Sequence, residues 1–152
     1  MDFVRGLISW VLALGLVFLF LQATLHPLPE PPPGQVKLLD APGTNIVFHT
    51  LAQRSGIALF EPAGRVVTAY LELIAALFLF FPFTRRFGAF LSLCILGGAV
   101  GLHLSPWLGR EVPLSLAENA PTDGGELFML AVAMLVASLL ILFIHPAQRR
   151  GR

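Results

Sequence analysis

Charge is scarce in this chain. Asp, Glu, Lys and Arg together make up 12% of its 152 residues, about half the share usual in a soluble domain. That shortage excludes an ordinary soluble fold. The formal net charge of +1 comes with no basic patch of the kind nucleic-acid binding requires, so no nucleic-acid partner is expected. Cysteine is nearly absent too. Cys94 is alone and can form neither an internal disulfide nor a CxxC redox pair, which leaves a small packing residue. The sequence has no GxSxG, no Walker A and no GxGxxG, so hydrolase, ATPase and nicotinamide chemistry have no support. It has neither HxxxH nor HExxH, so no metal site is assigned. Only one of its four histidines, His103, falls inside an apolar segment, whereas a transmembrane b-type haem needs two facing each other. No catalytic residue is assigned, and the chain is expected not to be catalytic by itself.

What the chain has is apolar length. Hydrophobic residues make up 56% of it, and the mean hydropathy is +0.79. Four segments, about 3–22, 63–81, 87–104 and 125–144, approach the roughly 20 residues that cross a bilayer as a helix. The expected fold is all-α: one domain, 1–152, forming a four-helix transmembrane bundle with a short extra helix in the first outer loop, 23–62. The first segment is slightly long for the apolar core of a signal peptide and has a poor small-residue cleavage pattern after it, so a retained span is expected. Arg5 precedes span one, Arg85 and Arg86 fill the turn between spans two and three, and Arg149, Arg150 and Arg152 end the chain. Basic residues beside spans stay in the cytoplasm. With four spans all three sites fall on one side, which predicts both termini cytoplasmic in a multi-pass protein of a bacterial inner membrane. Seven of the nine acids (Glu30, Asp40, Glu61, Glu111, Glu118, Asp123 and Glu126) then lie at or near the outer face.

Between the spans, the sequence HPLPEPPPG at 26–34 has five prolines in nine residues, which prevents a helix and favours an extended connector. Residues 43–56 read as a short amphipathic helix, capped by Thr44 or Asn45 and closed by Gly56, lying at the outer interface or over the bundle mouth. Gly97 and Gly101 in span three form a GxxxG pair, the pattern that lets another helix backbone approach. The loop 105–123 is polar, and Thr122 or Asp123 can cap span four.

The most informative residues lie in and just before span two. Glu61, Arg65, Thr68 and Glu72 follow one another at steps of four, three and four, which sets them on one helix face. An ionisable residue at membrane depth needs a partner, a wet cavity or a function. At a rise of about 1.5 Å per residue, Glu72 lies about 16 Å below Glu61, near the bilayer midplane. Span three runs the other way, so His103 stands at about the height of Arg65, and Glu126 starts span four at a similar height. Glu61, Arg65, His103 and Glu126 are therefore expected to converge at an outward-facing mouth above Glu72, where Glu72 would bind a proton, a cation or the polar head of a lipid-like ligand such as a quinone, and His103 would relay protons. The structural alternative is an i, i+4 pair of Glu61 with Arg65, an Arg65 that snorkels, and a Glu72 that bonds to another helix. His26, His49 and His145 read as solvated loop or helix-end residues.

Residues 61–104, EPAGRVVTAYLELIAALFLFFPFTRRFGAFLSLCILGGAVGLHL, resemble the core of the DoxX-like family of small four-span membrane proteins. The resemblance rests on Arg65, Glu72, Arg85-Arg86, Gly97-Gly98-Ala99 and His103. It implies a relative of the small membrane subunit of a thiosulfate:quinone oxidoreductase, or of assembly chaperones for membrane proteins. The segment 26–42 and the missing cysteine pair depart from the pattern and argue against catalysis of thiosulfate oxidation. The first functional expectation is thus an accessory or quinone-interacting subunit of a membrane redox system. The second is an assembly partner of another membrane protein or a homo-oligomer, contacting it through the Gly97/Gly101 face. A small ion-coupled transporter using Glu72 ranks third.

Overall fold

The computed structural model describes residues 2–25, 37 and 40–145. The proline-rich connector with His26 and the C-terminal arginines lie outside the described residues. Five α-helices follow in order: α1 (Asp2–Thr24), α2 (Ile46–Ser55), α3 (Ala63–Phe80), α4 (Arg85–His103) and α5 (Glu126–Ile144), with a single 3-10 turn, Ala58–Phe60, leading into α3. Four of them, α1, α3, α4 and α5, are long and apolar enough to cross a membrane. The fold is the expected all-helical four-span bundle. Each long helix packs on the next in chain order, and α5 closes the ring against α1. One end of the bundle carries α2 and the loop between α4 and α5 (the loop end). The other carries the α3–α4 turn and both described chain ends (the turn end).

The boundaries of the four long helices lie within two residues of the sequence expectation, and one difference is informative. Arg85 and Arg86 are not in the turn; they are the first two residues of α4. Thr84 closes the turn by donating from Oγ1 to the Phe78 carbonyl at 2.9 Å. This ends α3 early and lets α4 begin at once.

The core is built from small side chains and a few large ones: Ala13, Leu16 and Phe20 of α1, Ala75, Ala76 and Leu79 of α3, Ala89 and Leu96 of α4, and Met134 and Ile141 of α5. In lipid there is no hydrophobic gain from bringing helices together, so close contact depends on small residues at the seam. The outer surface is a belt of exposed apolar residues, among them Val11, Phe18, Val67, Leu77, Phe90, Val136 and Phe143. A belt of that kind is stable only in a lipid bilayer.

Helices α3 and α4 touch most closely at Gly88, where an added Cβ would stand 2.5 Å from the Leu79 amide nitrogen. The sequence pointed instead to Gly97 and Gly101. Neither packs against another helix among the described residues: both are exposed, and a Cβ on either would meet nothing within 4 Å there. The GxxxG spacing is present but its face is turned outward, so the expected helix packing at Gly97 and Gly101 is corrected to Gly88.

The turn end is clamped by polar bonds. Arg85 is 1% exposed. Its Nε donates to the Leu79 carbonyl at 2.9 Å, and its guanidinium lies 3.8 Å from the centre of the Trp10 ring. His145 is buried, not solvated as expected: its Nε2 donates to the Pro82 carbonyl at 3.0 Å, and its Nδ1 accepts from the Ser9 hydroxyl at 2.8 Å. Arg86 donates to the His145 carbonyl at 2.8 Å and Arg5 to that of Phe143 at 3.1 Å. Burial, with Arg85 and Arg86 nearby, holds the His145 imidazole below the ordinary histidine range against the opposing Pro82 bond. These bonds tie α1, the α3–α4 turn and the end of α5 together.

Gly88→Ala is expected to destabilise the bundle by about 1–3 kcal/mol through overpacking. Gly97→Ala, on an open helix face, should be neutral or raise the melting temperature, because alanine is the better helix former. Thermal melting of both variants in one detergent checks the contrast.

Candidate functional site

The Glu61–Arg65–Thr68–Glu72 stripe does face the interior, but the structure divides it into two parts with different work. At the loop end, Arg65 Nε donates to both carboxylate oxygens of Glu61, at 3.1 and 3.0 Å. The two side chains are 2% and 5% exposed. Arg65 Nη1 also donates to the Lys37 carbonyl at 2.9 Å, and the Gly43 amide donates to Glu61 Oε1 at 3.2 Å. The pair therefore fastens Lys37 and Gly43 to the start of α3. Glu61 precedes the helix, where a carboxylate meets the positive end of the helix dipole. The structure thus pairs Arg65 with Glu61, the i, i+4 arrangement, and not with headgroups.

Deeper in the bundle, Glu72 stands apart from that pair. It is 9% exposed, and its Oε2 has no hydrogen-bond partner among the described residues. It borders a cavity of about 370 Å³, near the lower end of the roughly 300–1,000 Å³ typical of small-molecule pockets. All four long helices contribute walls: Phe20 from α1, Gly64, Thr68 and Glu72 from α3, Leu96, Gly98 and Leu102 from α4, Ala131 and Met134 from α5. The cavity runs from Gly64 down to Glu72, a rise of about 12 Å along α3. Its polar side chains are Thr68, Glu72 and His103, and the rest of the lining is overwhelmingly apolar.

Helix α2 covers the loop end of this cavity. Asn45 caps it by accepting from the Phe48 amide at 3.2 Å, and Gly56 closes it at φ +73°, its amide bonding to the Ala52 carbonyl at 3.0 Å. Both ends match the sequence reading. Val47, Phe48 and Leu51 face the cavity and pack with Leu108 and Val112 of the following loop. The helix thus sits over the bundle mouth.

His103, the last residue of α4, is 4% exposed and borders the same cavity. Its Nδ1 donates to the Gly109 carbonyl at 2.9 Å, and its ring lies 5.7 Å from that of Phe128. This fixes the tautomer with the proton on Nδ1, so Nε2 is left as an acceptor. Glu126 does not join. It is exposed at the start of α5 and borders no part of the cavity. The expected convergence of Glu61, Arg65, His103 and Glu126 is therefore corrected: the first two form a buried pair outside the cavity, His103 lines it, and Glu126 faces away.

Asp123 performs the work at the start of α5. Its Oδ1 accepts from the Val112 and Gly125 amides at 2.8 and 3.0 Å, and its Oδ2 from the Leu127 amide at 3.0 Å. Burial alone would raise its pKa. The three amide bonds overcome that and hold the carboxyl below the ordinary aspartate range. The sequence reading named Asp123 as a cap; its second bond, to Val112, also anchors the loop that floors α2. No group of three or more His, Cys, Asp or Glu side chains converges as a metal site among the described residues.

Arg65→Met should lower stability by about 3–5 kcal/mol, because it leaves the Glu61 carboxylate buried without its cation. Glu61→Gln combined with Arg65→Met should recover part of that loss, as read by thermal melting. The chain matches no protein-family model, no curated protein and no solved structure.

Proposed function

We propose that the protein is an accessory, quinone-interacting subunit of a membrane redox system, which holds a lipid-soluble ligand in the cavity beneath α2. The observation that carries this reading is the buried carboxyl of Glu72, which borders a cavity otherwise almost wholly apolar and has an oxygen without a partner among the described residues. Leaving a buried polar atom unpaired costs roughly 1–3 kcal/mol. Such a group persists where a ligand supplies the missing bond. A carboxyl group accepts a hydrogen bond at its oxygens and, when it carries a proton, donates one, so it suits both the carbonyl of a quinone and the hydroxyl of a quinol. The apolar walls suit the ring and the first part of an isoprenoid tail. His103 Nε2, at the far end of the cavity, is an acceptor for a second ligand hydroxyl.

The DoxX-like resemblance of residues 61–104 agrees with this reading, since Glu72 and His103, which line the cavity, are among the residues it rests on. We place the protein in a bacterial inner membrane with both termini cytoplasmic. Arg5, Arg85 and Arg86 all lie at the turn end, where both described chain ends are, and basic residues favour the cytoplasmic face. The cavity then lies in the outer half of the bilayer. A second reading, an assembly partner for another membrane protein, is favoured by one observation: Gly97 and Gly101 lie exposed, with nothing among the described residues against them.

Glu72→Leu separates a ligand-binding carboxyl from a packing one. If Glu72 binds the ligand, affinity for a decyl-tailed benzoquinone should fall roughly tenfold, the equivalent of one hydrogen bond. The melting temperature of the unliganded protein should hold or rise, because an unpaired buried polar group has been removed. A fall in melting temperature with unchanged quinone affinity would assign Glu72 to structure alone. Titration of quinone into nanodisc-embedded protein, with melting curves alongside, gives both readouts.

A further inference from the structure

The lining of the cavity reaches the outer surface of the bundle. Of the residues lining it, three are exposed: Leu71 on α3, and Cys94 and Gly98 on α4. All three belong to the two helices of one hairpin. Helices α3 and α4 run antiparallel from the turn at 81–84, so Leu71 and Cys94 stand at about the same height and Gly98 about one turn nearer the loop end.

The hairpin is tight at its base and open above. At Gly88 the α3 backbone is so near that a Cβ would stand 2.5 Å from the Leu79 nitrogen. At Gly98 a Cβ would meet nothing within 4 Å. Gly98 adds no side chain to the seam, and on the facing helix Thr68 is short. Glu72, one residue beyond Leu71, borders the same cavity, and its buried Oε2 has no hydrogen-bond partner among the described residues.

We infer that the seam between α3 and α4, bordered by Leu71, Cys94 and Gly98, is a lateral portal through which a prenylated or alkylated quinone enters from the bilayer head first, leaving its tail in the seam and in lipid. The inference rests on the ligand reading above and adds the route and the tail's position. Size supports the tail's position. At about 370 Å³ the cavity holds a ring-sized head with a short piece of tail, so the remainder of a membrane quinone's chain must leave the bundle. The exit must be apolar, because the tail gains nothing from water. A route through the loop end would instead pass the buried α2 residues Val47, Phe48 and Leu51. Entry from lipid requires no movement of that cover.

Two variants narrow the portal from opposite sides: Gly98→Phe on α4 and Leu71→Trp on α3. Gly101→Phe is the control, because Gly101 is also exposed with open space around it but does not border the cavity. Association and dissociation of the decyl-tailed benzoquinone are measured in phosphatidylcholine nanodiscs. The portal predicts that each narrowing variant slows association and dissociation together, by tenfold or more, while the dissociation constant changes less than threefold, and that Gly101→Phe behaves as wild type. Should Gly98→Phe fail to fold, Leu71→Trp gives the same readout alone. Wild-type rates in the narrowed variants would overturn the portal while leaving the ligand reading standing. A raised dissociation constant without slower dissociation would also overturn it, since it would mean the new side chain fills the cavity itself. Absence of binding by the wild-type protein would overturn the ligand reading, and the portal with it.

Discussion

In a bilayer each polar group that leaves water must find its partner inside the protein, and that requirement organises this molecule. Arg65 lies against Glu61, Asp123 is held by three amides, and Arg85 is held by backbone carbonyls and an indole ring. Each of these satisfied groups sits at one end of the bundle and fastens a loop or turn to a helix. The loop end holds α2 in place over the cavity; the turn end holds the chain ends and the α3–α4 turn. Between the two polar layers lies an apolar core, and within it Glu72 is the exception, a buried carboxyl with an oxygen that nothing in the described chain answers.

The distribution of glycine explains why there is a cavity. Gly88 removes a side chain where two backbones meet, so the base of the α3–α4 hairpin is tight. Gly98, which lines the cavity, removes a side chain where no neighbour among the described residues comes within 4 Å. The same residue type therefore closes the bundle near the turn and opens it near the loop end. Phe20 and Met134 seal the lower part of the cavity, and α2 covers its top. A rigid base and a covered mouth leave the side of the bundle as the remaining approach to Glu72.

Much of this was legible in the sequence. The four spans follow from apolar length, and the caps of α2 from Asn45 and Gly56, because both are governed by local chemistry. The inward stripe of α3 followed from helical spacing. What spacing cannot express is which partner a side chain meets. Arg65 had two carboxylates within reach along its own face and took the nearer. Glu126 has the right height on α5 but points to the outside, because its rotation about the helix is set by packing of residues further along. The GxxxG pattern at Gly97 and Gly101 records a small-residue face without saying whether a helix covers it. Arg85 and His145 looked like polar flanks in sequence. Arg85 is buried because carbonyls freed at the end of α3 meet it, and His145 because the Pro82 carbonyl and the Ser9 hydroxyl meet it, arrangements made only once the chain has folded.

The central claim is that the Glu72 cavity exists to hold a lipid-soluble ligand. Native mass spectrometry of the protein, released gently from its own membrane, tests this most directly. The account predicts a reproducible adduct with the mass of a membrane quinone, diminished in Glu72→Leu. A bare chain in both proteins, or one bound only to another polypeptide, would contradict it and make the cavity a packing defect beside an assembly surface.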